Sequence, residues 1–359
     1  MGVSFSEDIS LLQLNNHPKP EMMFNKKYPF FTSSSNFMKN HFKNYANWAK
    51  KKYVKKNETK IIEIGSNDGT FLQNFRSKNF LHLGFEPSKN VSLIARKNGI
   101  NSIVKFFNRK NLINFDKFVN KTDFIFGANV VCHIPDLVEF ILTCDLALNE
   151  NGKVIFEEPY LGSMYKKVSY DQIYDEHIFM FSITSIKKIF EIFDFQLIDV
   201  LPQNTHGGSM RYVLERKKSK LNRKVKKYLE NEKKENINDV SGVIRFKKNC
   251  ELSKEKLQYK LNDLKRKKKF ICGYGATSKS TTILNYCNIN SKTIDCIFDT
   301  TPNKIGKYSP GMHIPIVDYK NFNKKFYEYA FLFAWNHRKE IEKKEKTYLK
   351  SGGKWITHL

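Results

Sequence analysis

Two series of short apolar runs, each followed by a helical stretch, constrain this chain more than any other feature. In the first series KIIEIG (60–65) reads as a strand, GTFLQNFRSK as helix, HLGFEP (82–87) as strand and SLIARKNGI as helix. DFIFGANVV (123–131) and GKVIFEEPY (152–160) are two further strands. Alternation of this kind, with glycine at strand ends, predicts a parallel, doubly wound sheet. FQLIDVLPQN and the run through 216 predict an antiparallel hairpin that closes it. A second series starts at Lys269, with strands in KFICGYG, 293–299, 314–319, 329–335 and KWITH, and helices in STTILNYC and RKEIEKKEKTYLKSG. Residues 217–268 are rich in Lys, Glu and Asn, lack Pro, and place Leu257, Leu261 and Leu264 at i, i+4 and i+7. That spacing predicts a long helical connector with one apolar face. Residues 1–50 read as a polar lead and then a helix, with Ser cap candidates ahead of Phe37, Met38, Phe42, Tyr45 and Trp48. The fold class is therefore α/β: a helical lead over 1–50, a Rossmann-like domain over 51–216, the connector over 217–268 and a smaller Rossmann-like α/β domain over 269–359.

A length of 359 residues exceeds one ordinary core, and 40% hydrophobic content is enough to bury two. The balance of 62 Lys+Arg against 36 Asp+Glu gives +26, which suits nucleic acid, an acidic membrane face or phosphorylated substrates. The excess is nearly all Lys, scattered along a chain also rich in Asn, Ile and Phe, and this resembles an AT-rich coding bias more than a dedicated nucleic-acid patch. The six cysteines form no C-x-x-C pair, so no zinc ribbon or thioredoxin-type site is indicated and no metal is expected. Neither a basic leader with an apolar core nor an apolar run of about 18 residues is found, so a soluble, cytoplasmic protein without a membrane span is expected. Oligomeric state is left open.

Ile61-Ile62-Glu63-Ile64-Gly65-Ser66-Asn67-Asp68-Gly69-Thr70 carries an apolar strand into a Gly-x-x-x-Gly turn. Glycines let backbone approach a ligand, and a helix start favours a carboxylate. With Asn67 and Asp68 in the turn, the segment suits a zwitterion such as the methionine end of S-adenosylmethionine. Glu86 follows the second strand about where a ribose-binding acid stands. Asn129, ending the fourth strand, is placed at the cofactor floor. Gly65, Asn67, Asp68, Gly69, Glu86 and Asn129 are thus the cofactor-binding candidates. A plain turn with a surface Glu is the competing reading.

Tyr170-Asp171-Gln172-Ile173-Tyr174-Asp175-Glu176-His177 concentrates titratable groups as neither a helix nor an ordinary loop would. A general base needs a pKa near the working pH, which His has and a buried Glu reaches. A divalent metal held by Asp171, Asp175, Glu176 and His177, or a solvated acidic loop, are the alternatives. His133 falls at a strand's C-terminal edge. His206, Gly207 and Ser209 belong to a turn, His-Gly-Gly-Ser-Met-Arg, whose amides suit an anion. GYGATSKS lacks the second Gly of a P-loop and carries Ser278 where a dinucleotide fingerprint needs Gly. A helix start beside Lys279 suits a diphosphate, and a purely structural role fits as well. His206, Gly207, Ser209 and Lys279 are the substrate-binding candidates.

EIGSNDGTFL, LGFEPS, NVVCHIPDL, YDQIYDEHIFMFS, HGGSMR and GYGATSKS, in this order, resemble the sugar C-methyltransferases of deoxysugar biosynthesis over about residues 22–359. The resemblance implies a class I methyltransferase domain, S-adenosylmethionine as cofactor, and methylation at C-3 of a dTDP-4-keto-dideoxyhexose. It also implies active-site roles for Tyr28, His133, Tyr174, Glu176 and His177, with His177, assisted by Glu176, as the base. The C-terminal domain would then help to bind the nucleotide sugar. Two departures stand out: this chain shows no four-Cys zinc-binding domain, and it has Asp175 where the family commonly carries His. A sugar O- or N-methyltransferase, and a nucleic-acid-binding or RNA-modifying protein, are the rival functions.

Overall fold

The computed structural model describes residues 2–54, 58–216 and 222–359. The first five residues of the expected connector, 217–221, and positions 55–57 of the first expected domain lie outside the described residues. Seven strands form the large sheet: β1 (Thr59–Ile64), β2 (Phe80–Phe85), β3 (Ser102–Ile103), β4 (Thr122–Ala128), β5 (Leu148–Pro159), β6 (Phe195–Gln203) and β7 (Ser209–Arg216). Their order is β3-β2-β1-β4-β5-β7-β6. The first five run parallel, while β7 lies antiparallel between β5 and β6. The sequence therefore builds the predicted sheet and closing hairpin. Because the chain leaves β1 toward β2 and later crosses back to β4, the order reverses between β1 and β4. A crevice opens at such a switch point, outside the carboxyl ends of the strands.

The second series forms a five-stranded parallel sheet from β8 (Ile271–Tyr274), β9 (Ile297–Asp299), β10 (Ile316–Asp318), β11 (Tyr329–Leu332) and β12 (Lys354–Ile356), in the order β10-β9-β8-β11-β12. Its own switch point falls between β8 and β11. The connector is not one long helix. Two helices, Arg223–Lys234 and Val240–Arg266, are parted where Asn236 takes a positive φ of 50° and Asp239 caps the second. Leu257, Leu261 and Leu264 bury their expected face against the second sheet.

The elements depart from the expected ones at three other places. GTFLQNFRSK folds only into a short 3-10 turn, Leu72–Phe75, because Phe71, Leu72 and Phe75 are all drawn into an aromatic cluster around Phe126. The lead is not purely helical: Val3–Ser6 and Leu11–Leu14 make a hairpin whose second strand pairs with Phe179–Met180, just past His177. Four-residue strands leave too short an alternation to read. The segment RKEIEKKEKTYLKSG divides into Arg338–Lys344 and Lys346–Lys350.

The helix Asn36–Tyr53 begins where Ser35 caps the Met38 N–H, as expected. It buries Met38, Phe42, Tyr45, Ala46 and Ala49 on the large sheet, whereas Phe37 is turned outward beside the His337 ring. An ion pair locks this helix down. The Arg211 guanidinium stacks 3.9 Å from the Tyr45 ring centre and 4.3 Å from that of Trp48, and its Nε donates to Glu157 at 2.7 Å. Glu157 also meets His41 Nε2 at 2.6 Å. Removing one partner of a buried pair strands the other charge. Arg211→Ala should therefore lower unfolding free energy by about 3–5 kcal/mol in a denaturant titration, and a change within about 0.5 kcal/mol would contradict this account of the helix.

Candidate functional site

The carboxyl ends of both sheets line one cavity of about 1210 Å³. From the large sheet come residues after β1, β2, β4 and β5; from the small sheet come residues after β8, β9 and β11. Both switch points thus open into the same space.

At the large-sheet end Gly65 and Gly69 take φ of 62° and 82°. A Cβ at Gly65 would meet Val130 Cγ2 at 2.8 Å, and one at Gly69 would meet Ile100 Cγ1 at 2.7 Å, so both positions demand glycine. The structure gives the turn residues different tasks. Gly65, Asn67, Glu86 and Asn129 line the cavity; Asp68 and Gly69 are buried behind the turn. Asn67 Oδ1 accepts the Thr32 amide at 2.9 Å, and Asp68 Oδ2 accepts the Ser33 amide at 2.8 Å, which ties the segment around residues 30–33 across the cavity mouth. Glu86 accepts the amides of Asn67 and Ser88 at 3.0 and 2.7 Å.

Glu63, which sequence reasoning passed over, lies in the cavity wall on β1 with Oε2 lacking a hydrogen-bond partner among the described residues. Burial, then the charges of Asp68 and Glu86, push its carboxyl well above the usual range. Glu86 is also raised, mainly by burial. Carboxylates gathered in a poorly solvated place favour a cationic ligand. Ser66 Oγ, Asn90 Oδ1 and Asn129 Oδ1, also on the wall, are equally unpaired among the described residues. This donor and acceptor set fits the ammonium, sulfonium and ribose of S-adenosylmethionine. The visible signal for Glu63 was an acid inside an otherwise apolar strand.

The middle of the cavity holds Tyr28, His133, Tyr174 and Glu176. Tyr28 stays protonated because of burial and the flanking charges of Glu176 and Glu86. His133 is stacked between Phe24 at 5.6 Å and His177 at 5.4 Å, and burial drives its pKa down to about 3. His177 is 2% exposed and not part of the wall; it stands behind Tyr174. Its Nδ1 meets the Gln172 carbonyl at 2.8 Å, which can only accept, so Nδ1 bears the proton. Nε2 then accepts the Tyr174 hydroxyl at 2.7 Å. Burial, followed by the neighbouring His133, His206 and Lys279, holds the His177 ring neutral. Glu176 is raised by burial and by Asp175, against Lys304 from the loop after β9. Asp175 is exposed and Asp171 is turned toward the second sheet, so the four residues weighed as metal ligands do not converge. Cys132, His133 and His177 do come within 4.8 Å of one another, but the two rings lie near-parallel, 22° apart, and their in-plane lone pairs do not aim at one point.

At the small-sheet end Lys279 is 8% exposed, at the start of helix Ser278–Tyr286, and its Nζ has no hydrogen-bond partner among the described residues. Burial lowers its pKa, partly offset by Asp171. His206 and Ser209 line the cavity nearby, whereas Gly207 packs against Trp335. Burial, and then Lys279, hold His206 down to about 3.

Residues 38–200 match the family described as the methyltransferase domain, and residues 204–359 match the C-methyltransferase C-terminal domain. With the paired crevice and its carboxylate wall, these matches define a methyl-transfer enzyme that uses S-adenosylmethionine. The chain thus matches a methyltransferase domain in its first part and the C-terminal domain of C-methyltransferases in its second. It is 26% identical over 351 residues to C-methyltransferase NovU of Streptomyces niveus, covering 97% of this chain and 83% of that protein. Among solved structures it is similar to the complex of the Haloferax volcanii Trm112 methyltransferase activator with the putative methyltransferase (12% identity, 52% of this chain, 95% of that chain, TM-score 0.43). It is also similar to magnesium protoporphyrin IX methyltransferase of Synechocystis PCC 6803 with bound SAM (12% identity, 50% of this chain, 79% of that chain, TM-score 0.37). No helix among the described residues is long and apolar enough to cross a membrane.

Glu158, another acid unread in the sequence, supports the His133 turn: its Oε1 accepts the Val130 and Val131 amides at 3.0 and 2.8 Å. Burial pushes it from 4.5 to about 7, despite these hydrogen bonds. The folded state thus binds this proton more tightly than the unfolded state. The contribution is full below about 4.5 and is lost as pH rises through about 7, to the extent of about 3 kcal/mol. Glu158→Gln keeps the amide acceptor and should flatten the decline in unfolding free energy between pH 5 and 8; an unaltered slope would contradict the assignment.

Proposed function

We propose that this enzyme methylates a carbon beside the ketone of a nucleotide-linked keto-deoxysugar, by base-assisted enolate formation. The observation that carries the reading is the chain Tyr174 hydroxyl, His177 Nε2, His177 Nδ1–H, Gln172 carbonyl, with the phenol on the cavity wall. A group that faces substrate, a base behind it and a third group that fixes the base's tautomer form a proton-abstraction arrangement. An ordinary C–H bond is not a nucleophile. A carbon next to a ketone becomes one when its proton is removed.

In this reading Tyr174 takes the α-proton as its own proton passes to His177 Nε2. The charge of Glu176, already felt by Tyr174, offsets the imidazolium that results. His133, held neutral, donates to the developing enolate oxygen. Tyr28, between Glu86 and Glu176, sits at the junction of the cofactor and acceptor ends. S-adenosylmethionine supplies an electrophilic methyl on a sulfonium. Gly65, Asn67, Glu63, Glu86 and Asn129 hold it, with Asp68 and Gly69 shaping the turn from behind. Lys279, the helix start beside it, His206 and Ser209 receive the diphosphate, which makes residues 269–359 the nucleotide-sugar unit and gives the buried ammonium its counter-charge. An acceptor bound this way places its sugar in the middle, where the proton relay lies.

The test is hydrogen exchange. A keto sugar from a panel of dTDP- and GDP-linked compounds, incubated with enzyme in deuterated water without cofactor, should take up deuterium at the carbon later methylated. His177→Ala should slow both exchange and turnover by about 10²-fold or more while leaving cofactor affinity unchanged. An ether or amine product formed without exchange would replace this reading with O- or N-methylation.

A further inference from the structure

The turn Tyr170–Ile173 is held mainly by the second sheet's unit, although Gln172 Nε2 also donates to the His206 carbonyl. Tyr170 Oη lies 3.3 Å from Cys287 Sγ, and the Ile173 carbonyl accepts the Thr282 hydroxyl at 2.8 Å. Asp171, fully buried, accepts Trp335 Nε1–H at 2.6 Å on Oδ2 and faces His358 Nε2 at 3.1 Å on Oδ1. A carboxylate only accepts, so that His358 nitrogen carries a proton. Two charge-assisted bonds make Asp171 the strongest of these anchors. Its own neighbour in sequence, Gln172, supplies the carbonyl that fixes the proton on His177 Nδ1. Trp335 links the turn to the small-sheet end of the cavity: its N–H holds Asp171, and its ring lies 5.2 Å from the Lys279 ammonium.

We propose that Asp171 is a positioning residue that sets the tautomer of His177 through the Gln172 carbonyl, so that docking of the C-terminal unit arms the proton relay. Asp171 does not line the cavity. Its effect passes along the backbone to the next residue: if the turn slackens, the Gln172 carbonyl leaves Nδ1–H, the ring proton redistributes to Nε2, and Tyr174 then faces a donor instead of an acceptor. The argument rests on the reading that Tyr174 and His177 form the relay, but the tautomer itself is observable without any substrate.

The test uses full-length protein with ¹⁵N-labelled histidine, the His177 signals being identified by their loss in His177→Gln. Wild type should show His177 as the single Nδ1–H tautomer. Asp171→Ala should show a mixture of tautomers, with kcat lowered on the order of 10²-fold and cofactor Kd within about twofold of wild type. Asp171→Asn can accept from Trp335 and donate to His358 once that ring moves its proton, so it should recover about tenfold of the loss. A single Nδ1–H tautomer in both variants, with His177→Gln still inactive, would overturn the role of Asp171 alone. If His177→Gln exchanges and turns over normally, the relay itself is wrong, which is a separate outcome. Should Asp171→Ala not fold, Trp335→Phe, which deletes one N–H from the clamp, must reproduce the tautomer mixture or the proposal fails.

Discussion

Two sheets turn their switch points toward a single cavity, with carboxyl groups gathered at one end and lysines at the other. Transfer of a charge out of water costs several kcal/mol unless a partner compensates it. Glu63 and Glu86, with Asp68 close behind, gather carboxyl groups at the ends of β1 and β2, where burial raises Glu63 and Glu86 and a cationic ligand would favour their charged forms. Lys279 and Lys304 bring positive charge to the loops after β8 and β9. Neither set is neutralised by a salt bridge among the described residues. Such groups persist where ligands of the opposite sign offset them. A sulfonium-bearing cofactor at one end and a diphosphate-bearing acceptor at the other would do so together.

In the proposed function this arrangement would give the second unit a task beyond binding. The Tyr174–His177 segment leads into Phe179–Met180, which joins the N-terminal hairpin in a separate three-stranded sheet, yet the turn that precedes it is fixed by Trp335, Thr282, Cys287 and His358. The segment around residues 24–33 closes a third side, with Phe24 stacked on His133 and the Thr32 and Ser33 amides held by Asn67 and Asp68. The proposed reacting centre is therefore drawn from three parts of the chain far apart in sequence. Every part must be in place before the phenol of Tyr174 is correctly partnered.

Much of the framework was legible because strand-helix alternation and terminal glycines are local signals. The sheet, the closing hairpin, the second α/β unit and the Gly65–Gly69 turn all follow from them. Residues whose meaning depends on distant partners were not legible in the same way. Asp68 looked like a cofactor ligand, and only the fold reveals that it holds the Ser33 amide. His177 looked like a group facing substrate, and the structure places Tyr174 in front of it. Glu63 and Glu158 were hidden in strand runs read for their hydrophobicity, although an acid within such a run is itself a signal. The N-terminal strands escaped because pairing with Phe179–Met180, not their own pattern, makes them strands.

The division of one cavity into a carboxyl end and a lysine end is most directly tested by calorimetric titration of dTDP into protein saturated with S-adenosylhomocysteine, for wild type and Lys279→Met. The account predicts binding to wild type, weakening by about tenfold or more in the variant, and an unchanged affinity for S-adenosylhomocysteine. Equal dTDP affinity in the two proteins would contradict it.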